Sequence, residues 1–217
     1  MRFHDRRDAG RQLAAALQRL SLQNPVILGI PRGGVVVSAE IAAALDAPHG
    51  VVVARKLGAT DQPELAIGAV TANGVAYVDE ELARLTGADE GYLQWVMREE
   101  AEEARRRESR FDHDRRPPLA GHTIVIVDDG IATGATAIAA VRDVKAQGAT
   151  RVIVAVPVGP PDTIARLRQE ADDVVCLREE PDFFAVGEFY DQFDPVEDDQ
   201  VTAILDATER TRGKTRT

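Results

Sequence analysis

Two adjacent carboxylates, Asp128 and Asp129, close the apolar run 123–127, and small residues follow them: Gly130, Ile131, Ala132, Thr133, Gly134, Ala135 and Thr136. Acids side by side at the end of a buried run repel one another and resist desolvation, so a plain turn has no use for both. They suit vicinal hydroxyls or a hydrated Mg2+. The small-residue loop opens a helix, and a helix N-terminus turns several backbone N–H groups towards one point, which makes an anion site. Thr133 and Thr136 can add hydroxyl donors; the plainer alternative is that one of them merely caps the helix. A phosphate grip beside a diol grip describes a 5-phosphorylated ribose.

Two further places carry candidate chemistry. Pro31-Arg32-Gly33-Gly34 follows the apolar run 26–30, where glycines allow close backbone approach and Arg32 offers a bidentate fork. Arg55-Lys56 follows the run 51–54. Either alone reads as a turn or a solvated pair; beside the Asp128-Asp129 loop, both become candidate anion contacts. Competing motifs fail. The phosphate loop has no Lys for GxxxxGK[ST], and Gly29 to Gly34 lacks the GxGxxG spacing. No GxSxG elbow occurs, and the four histidines, His4, His49, His113 and His122, show no metal-ligand spacing. Cys176 reads as a small core residue.

The elements that must position these groups follow from the apolar pattern. Runs at 26–30, 51–54, 123–127, 151–156 and 174–177 are nearly continuous in Val and Ile, as in strands buried on both faces. Helical stretches at 35–45, 136–147 and 161–170 separate several of them. The alternation predicts an α/β fold: an open, mostly parallel sheet with helices on both faces. The stretch 58–119 interrupts it. There Asn73-Gly74 signals a hairpin between 65–71 and 75–78, and 89–111 reads as a charged helix with a thin stripe of Leu93, Val96 and Met97. The whole reads as one domain over 1–208 with an inserted subdomain, and 209–217 as a frayed tail.

The resemblance to a known family rests on these residues. VIVDDGIATGAT is similar to the phosphoribosyl-pyrophosphate (PRPP) motif of type I phosphoribosyltransferases, and VILGIPRGGV resembles their pyrophosphate loop. The order of elements over about 24–178 also resembles that family. The resemblance implies that Asp128 and Asp129 are catalytic, holding the ribose hydroxyls directly or through Mg2+. It implies a 5-phosphate site at Ile131, Ala132, Thr133, Gly134, Ala135 and Thr136. It implies a pyrophosphate site at Arg32, Gly33, Gly34, Arg55 and Lys56. The implied reaction transfers the phosphoribosyl group of PRPP to a nitrogen acceptor such as a nucleobase, with Mg2+. A non-catalytic sensor of phosphoribosyl ligands on the same fold is the alternative. Ala132 stands where 6-oxopurine-type relatives carry an Asp, which disfavours hypoxanthine or guanine. Pro63 to Ala69, PELAIGA, is similar to stretches in uncharacterised bacterial members. The acceptor hood is either the insertion 58–119 or the aromatic segment 180–194, whose Phe183, Phe184, Phe189, Tyr190 and Phe193 more simply close the core.

Composition bounds the rest. At 217 residues the chain suits one domain, since domains run to roughly 100–200 residues. With 26 Lys+Arg against 36 Asp+Glu, the net charge of −10 lacks the basic field of a generic nucleic-acid surface. One cysteine allows no internal disulfide. No apolar run approaches the roughly 18 residues of a membrane span, and the charged N-terminus shows no signal peptide. The expectation is a cytoplasmic protein, able to pair with a second copy as a homodimer, with no nucleic-acid or membrane partner.

Overall fold

Apolar residues at every position of 26–28 and 124–127 demand cover on both faces of a sheet. The computed structural model, which describes residues 2–112 and 117–215, supplies it. The chain runs α1 (Arg6–Leu17), β1 (Pro25–Gly29), α2 (Gly33–Leu45), β2 (His49–Val51), β3 (Ala54–Ala59), β4 (Gln62–Thr71) and β5 (Ala76–Val78). It continues through α3 (Glu80–Leu85), α4 (Glu90–Asp112), β6 (Thr123–Val127), α5 (Ala135–Ala146), β7 (Arg151–Gly159), α6 (Pro161–Glu170), β8 (Asp173–Glu179) and α7 (Asp198–Thr215). Five strands form a parallel sheet in the order β2-β1-β6-β7-β8. Val26, Leu28, Ile124, Ile126, Val152 and Val154 face Ile138, Val141 and Val144 of α5 and Ile164 and Leu167 of α6. Their alternates Ile27, Val125, Val127 and Ile153 face Leu13 and Leu17 of α1 and Val37 and Ile41 of α2. The expected α/β architecture is present, and cover on both faces explains why 26–28 and 124–127 carry no polar residue.

The second parallel strand is where expectation and structure part. The run 51–54 is not one strand. His49–Val51 completes the parallel ladder, whose last bond runs from Val52 N to Gly29 O at 3.2 Å. Ala54 then pairs antiparallel with Thr71 and opens a second sheet, β3-β4-β5. Arg55 and Lys56 therefore sit in the inserted sheet, and the insertion begins before Gly58. Its hairpin forms where Asn73-Gly74 predicts it: Gly74 has φ 82°, and Thr71 N donates to Val75 O. α4 starts where Asp89 accepts from Tyr92 N at 2.7 Å. Leu57, Ile67, Val70, Ala83, Val96 and Ala101 form this unit's own apolar cluster. It docks on α5 through Ala69 against Ala135 and Ala139, and through Asn73 Nδ2, which donates to both oxygens of the buried Asp143 at 3.0 Å.

Besides the short α3, two helices lie outside the predicted pattern. α1 begins where Asp5 accepts from Asp8 N at 2.7 Å, and it buries Ala9, Gly10, Leu13, Ala14 and Leu17. α7 packs Val201 and Leu205 against Val35 and Phe111; it continues into the stretch expected to fray, as far as Thr215. Arg216, Thr217 and His113 lie outside the described residues. The aromatic segment mostly closes the core: Phe189 and Tyr190 are buried with Phe3, Ala9 and Val158, and Phe183 and Phe193 pack beside them. Phe184 is the exception at 85% exposed. Among the described residues no helix is long and apolar enough to cross a membrane.

Candidate active site

Because β1 and β6 are neighbours, the loops that leave them lie side by side at the carboxyl edge of the sheet, where open α/β folds bind ligands. Ile30 N donates to Val127 O at 2.8 Å and ties the two loops together. The Pro31-Arg32 peptide is cis, and α2 begins at Gly33. A Cβ on Gly33 would stand 1.8 Å from Asp129 Oδ2, and one on Gly34 would stand 2.6 Å from Val127 O. The two glycines thus let the Arg32 loop lie directly on the acidic pair.

A cavity of about 710 Å3 opens above this junction. Its floor carries Arg32, Gly33, Lys56, Asp128, Asp129 and Thr136, and the insertion supplies its far wall with Arg55, Glu64, Tyr92, Trp95, Val96 and Glu100. Arg32, Gly33, Arg55, Lys56, Asp128, Asp129 and Thr136 therefore converge, whereas Gly34 and 131–135 do not line the cavity. Trp95 is 54% exposed and packs against Tyr92 with ring centroids 5.8 Å apart, while Tyr92 OH donates to Gly58 O at 2.8 Å.

The loop after Asp129 leaves its backbone N–H groups unpaired beyond Ile131. Among the described residues no backbone N–H from 132 to 137 donates to a protein acceptor. The carbonyls instead point outwards: Thr163 Oγ1 donates to Ala132 O at 2.8 Å and Arg166 Nη2 donates to Thr133 O at 3.1 Å. Gly134 is the N-cap of α5 with φ 77° and no side-chain cap, so neither Thr133 nor Thr136 plays the capping part. Ile131 departs from the expected role. Its N–H donates to Val158 O at 2.9 Å and its side chain is buried in the core, which leaves it nothing to offer a phosphate.

The charges are unequal. Asp128 is half-buried on the cavity floor, and desolvation, then the neighbouring charge of Asp129, push its carboxyl well above the usual carboxylate range. The Asp129 N–H, 2.9 Å from Asp128 Oδ1, and the Lys56 ammonium pull the other way. Asp129 pairs with Arg6 of α1, Nε to Oδ2 at 2.7 Å, and its carbonyl accepts from Tyr190 OH at 2.6 Å. Arg55 Nε pairs with Glu100 at 2.6 Å, and Arg32 lies 3.6 Å from Glu197 and 3.7 Å from Asp198. Lys56 makes no ion pair among the described residues. No group of three or more His, Cys, Asp or Glu among the described residues could hold a metal by itself. The two carboxylates are hard oxygen donors, and they fit a Mg2+ that keeps waters and takes its remaining ligands from a bound phosphate.

Residues 3–194 match the phosphoribosyl transferase domain. The chain belongs to the phosphoribosyl transferase family. Proteins named as phosphoribosyl transferases from two strains of Mycobacterium tuberculosis are 50% identical over 209 residues, which is 96% of this chain and 47% of theirs. The chain thus spans about half the length of these curated relatives. The crystal structure of TT1426 from Thermus thermophilus is 44% identical and superposes with a TM-score of 0.81, covering 94% of this chain and 98% of that one. That of the AQ2163 protein from Aquifex aeolicus shares the fold at 14% identity and a TM-score of 0.50, over 81% of this chain and 74% of that one.

Within this phosphoribosyl transferase domain, the sequence reading missed the residues that reach the site from a distance. Arg6 was hidden because its partner lies 123 positions away. Tyr190 is core, as its sequence context suggests, but its hydroxyl also secures Asp129. Tyr92 and Trp95 belong to the wall of the cavity, and neither is part of the stripe of Leu93, Val96 and Met97 that marked α4.

Proposed function

We propose that this domain transfers the 5-phosphoribosyl group of PRPP to a nitrogen of a small planar acceptor and releases pyrophosphate. The observation that carries the reading is the convergence on one cavity of Thr136 from a helix start whose amides at 132–137 are unpaired, the acidic pair, and a glycine loop pressed against that pair. The amides, with Thr133 and Thr136, would hold the 5-phosphate. Asp128 and Asp129 would hold the ribose hydroxyls. The Arg32-Gly33-Gly34 backbone, Lys56 and Arg32 would hold the pyrophosphate as its charge grows, which is catalysis by positioning and electrostatic stabilisation. Arg55, already paired with Glu100, would contribute through that pair. Asp128 and Asp129 would also be the residues that face a Mg2+, which supplies charge neutralisation to the leaving group when bound. Tyr92, Trp95 and Val96 offer the acceptor an aromatic wall opposite the acids.

The test has two readings. Millimolar PRPP with Mg2+ should raise the melting temperature, because a ligand at about 100-fold its Kd adds roughly 2.7 kcal/mol to the folded state. Pyrophosphate release is then followed across a panel of nucleobases, with adenine and uracil expected to outperform hypoxanthine and guanine given Ala132. A protein that PRPP does not stabilise overturns the proposal. One that PRPP stabilises, but that releases no pyrophosphate with any acceptor, is a sensor.

A further inference from the structure

Arg6 lies in the first turn of α1, far in sequence from the strand ends that make the site. Its side chain is 11% exposed, and its guanidinium is engaged by an acid, a carbonyl and a ring. Nε donates to Asp129 Oδ2 at 2.7 Å. One Nη donates to the carbonyl of Asp194 at 2.8 Å. The plane lies 3.8 Å from the centroid of the Phe193 ring. A Cβ on Gly33 would come within 2.8 Å of Nε, so the same cation also borders the Arg32 loop. Asp129 is gripped from its other end by Tyr190 OH. Its carboxyl also lies within hydrogen-bond reach of the Asp128 carboxyl.

Two adjacent carboxylates at a cavity floor would, without a counter-charge, attract a hard divalent cation on their own. Here one of the two charges is already matched, and one of its two oxygens is already used. Arg6 on Oδ2 opposes chelation of a cation by both oxygens of Asp129. The lone pairs that its carboxylate keeps can still accept one hydroxyl. We propose that Arg6 is a positioning residue that neutralises and orients Asp129, so that the acidic pair accepts ribose hydroxyls and disfavours a divalent cation arriving alone. The inference rests on the phosphoribosyl reading of the site, and it adds a residue from outside the strand-end motifs to that reading.

The experiment uses the full chain with Arg6→Gln and Arg6→Lys. Free Mn2+ is titrated by electron paramagnetic resonance with no other ligand present. Removing a unit charge in contact with a carboxylate should tighten Mn2+ binding by about tenfold or more in Arg6→Gln, while Arg6→Lys stays near wild type. Ribose 5-phosphate is titrated by calorimetry with no divalent cation. Loss of the fixed carboxylate should weaken it by about tenfold in Arg6→Gln, with rescue by Arg6→Lys. A merely structural arginine would not move the two affinities in opposite senses. Equal Mn2+ affinity in wild type and Arg6→Gln overturns the role of Arg6, as does ribose 5-phosphate that binds both alike. Ribose 5-phosphate that fails to bind wild type overturns the phosphoribosyl reading instead, and the Mn2+ titration still decides the charge role of Arg6. Should Arg6→Gln not fold, Arg6→Met, which keeps the aliphatic stem over Phe193, carries the same measurements.

Discussion

At Gly33 the backbone and the chemistry share one small space. A methyl group there would stand 1.8 Å from Asp129 Oδ2, so the acid, the Arg6 pair or the loop must move. Gly33→Ala is therefore expected to fold and to bind ribose 5-phosphate more weakly. Losing charge-assisted contacts is worth about 1.5–3 kcal/mol, or roughly ten- to a hundred-fold in Kd. Calorimetry decides it; unchanged affinity would show that the loop has slack the geometry denies. Asp128 makes a second point. Its carboxylate is half-buried beside another, so Asp128→Asn, which keeps the acceptor for Asp129 N–H, should raise apo stability in urea by about 1 kcal/mol while weakening ligand. A functional residue that costs stability separates the two measurements, whereas a structural one would lose both.

At the scale of elements, α2, β2 and α7 meet at His49. Its Nε2 lies 2.7 Å from Ser38 Oγ of α2, and its Nδ1 lies 3.1 Å from Thr208 Oγ1 of α7. Burial lowers its pKa from 6.5 to about 4. Above pH 7 the imidazole is neutral in both folded and unfolded chains and adds no pH dependence. Between pH 6.5 and 4 the unfolded chain takes up a proton that the folded one refuses, so stability falls as pH falls. The shift corresponds to about 3 kcal/mol in all. The urea-derived stability difference between wild type and His49→Gln should therefore shrink by about that amount from pH 7.5 to pH 4; a difference that stays constant would contradict a neutral buried imidazole. The same elements show what was legible in the sequence. β1, β6 and β7 were readable because burial on both faces leaves a continuous apolar run. α1 was not, because its inner face is Ala9, Gly10, Leu13, Ala14 and Leu17, two large residues among small ones. The small ones are needed: a Cβ on Gly10 would lie 2.7 Å from Val37 O of α2. The β2 to β3 switch was hidden for the opposite reason. Val51, Val52 and Val53 are all buried, in two different sheets' surroundings, so the run looks like one strand. The acidic pair and its loop announced themselves because local spacing makes them; Arg6, Tyr190 and Trp95 are brought to the site by topology, which no local pattern encodes.

At the scale of the whole molecule, the cavity exists only while the inserted sheet and α4 stay docked on the parallel-sheet core. Much of that docking runs through small residues, Ala69 on Ala135 and Ala139, which bury little area each. The polar lock beside them is Asn73, whose amide serves both oxygens of Asp143, a carboxylate only 1% exposed whose other side-chain donor is Gln147 at 2.9 Å. Asn73→Ala leaves that buried acid with one amide donor. An unsatisfied buried acceptor costs about 1–3 kcal/mol. The insertion has its own apolar cluster around Leu57, Ile67 and Val70, so the penalty should appear first as opening of the insertion and not as collapse of the core. Native-state hydrogen exchange separates the two. The amides of β4 from Ile67 to Thr71 should lose about ten-fold or more in protection, while those of β6 and β7 change far less. Because Tyr92, Trp95 and Lys56 would leave the cavity with the insertion, the acceptor KM should rise and PRPP should bind more weakly, while ribose 5-phosphate binding at the α5 loop holds. Protection lost equally in β4, β6 and β7 would mean that the molecule opens as one unit, and that Asn73 stabilises the fold without governing the closure of the site.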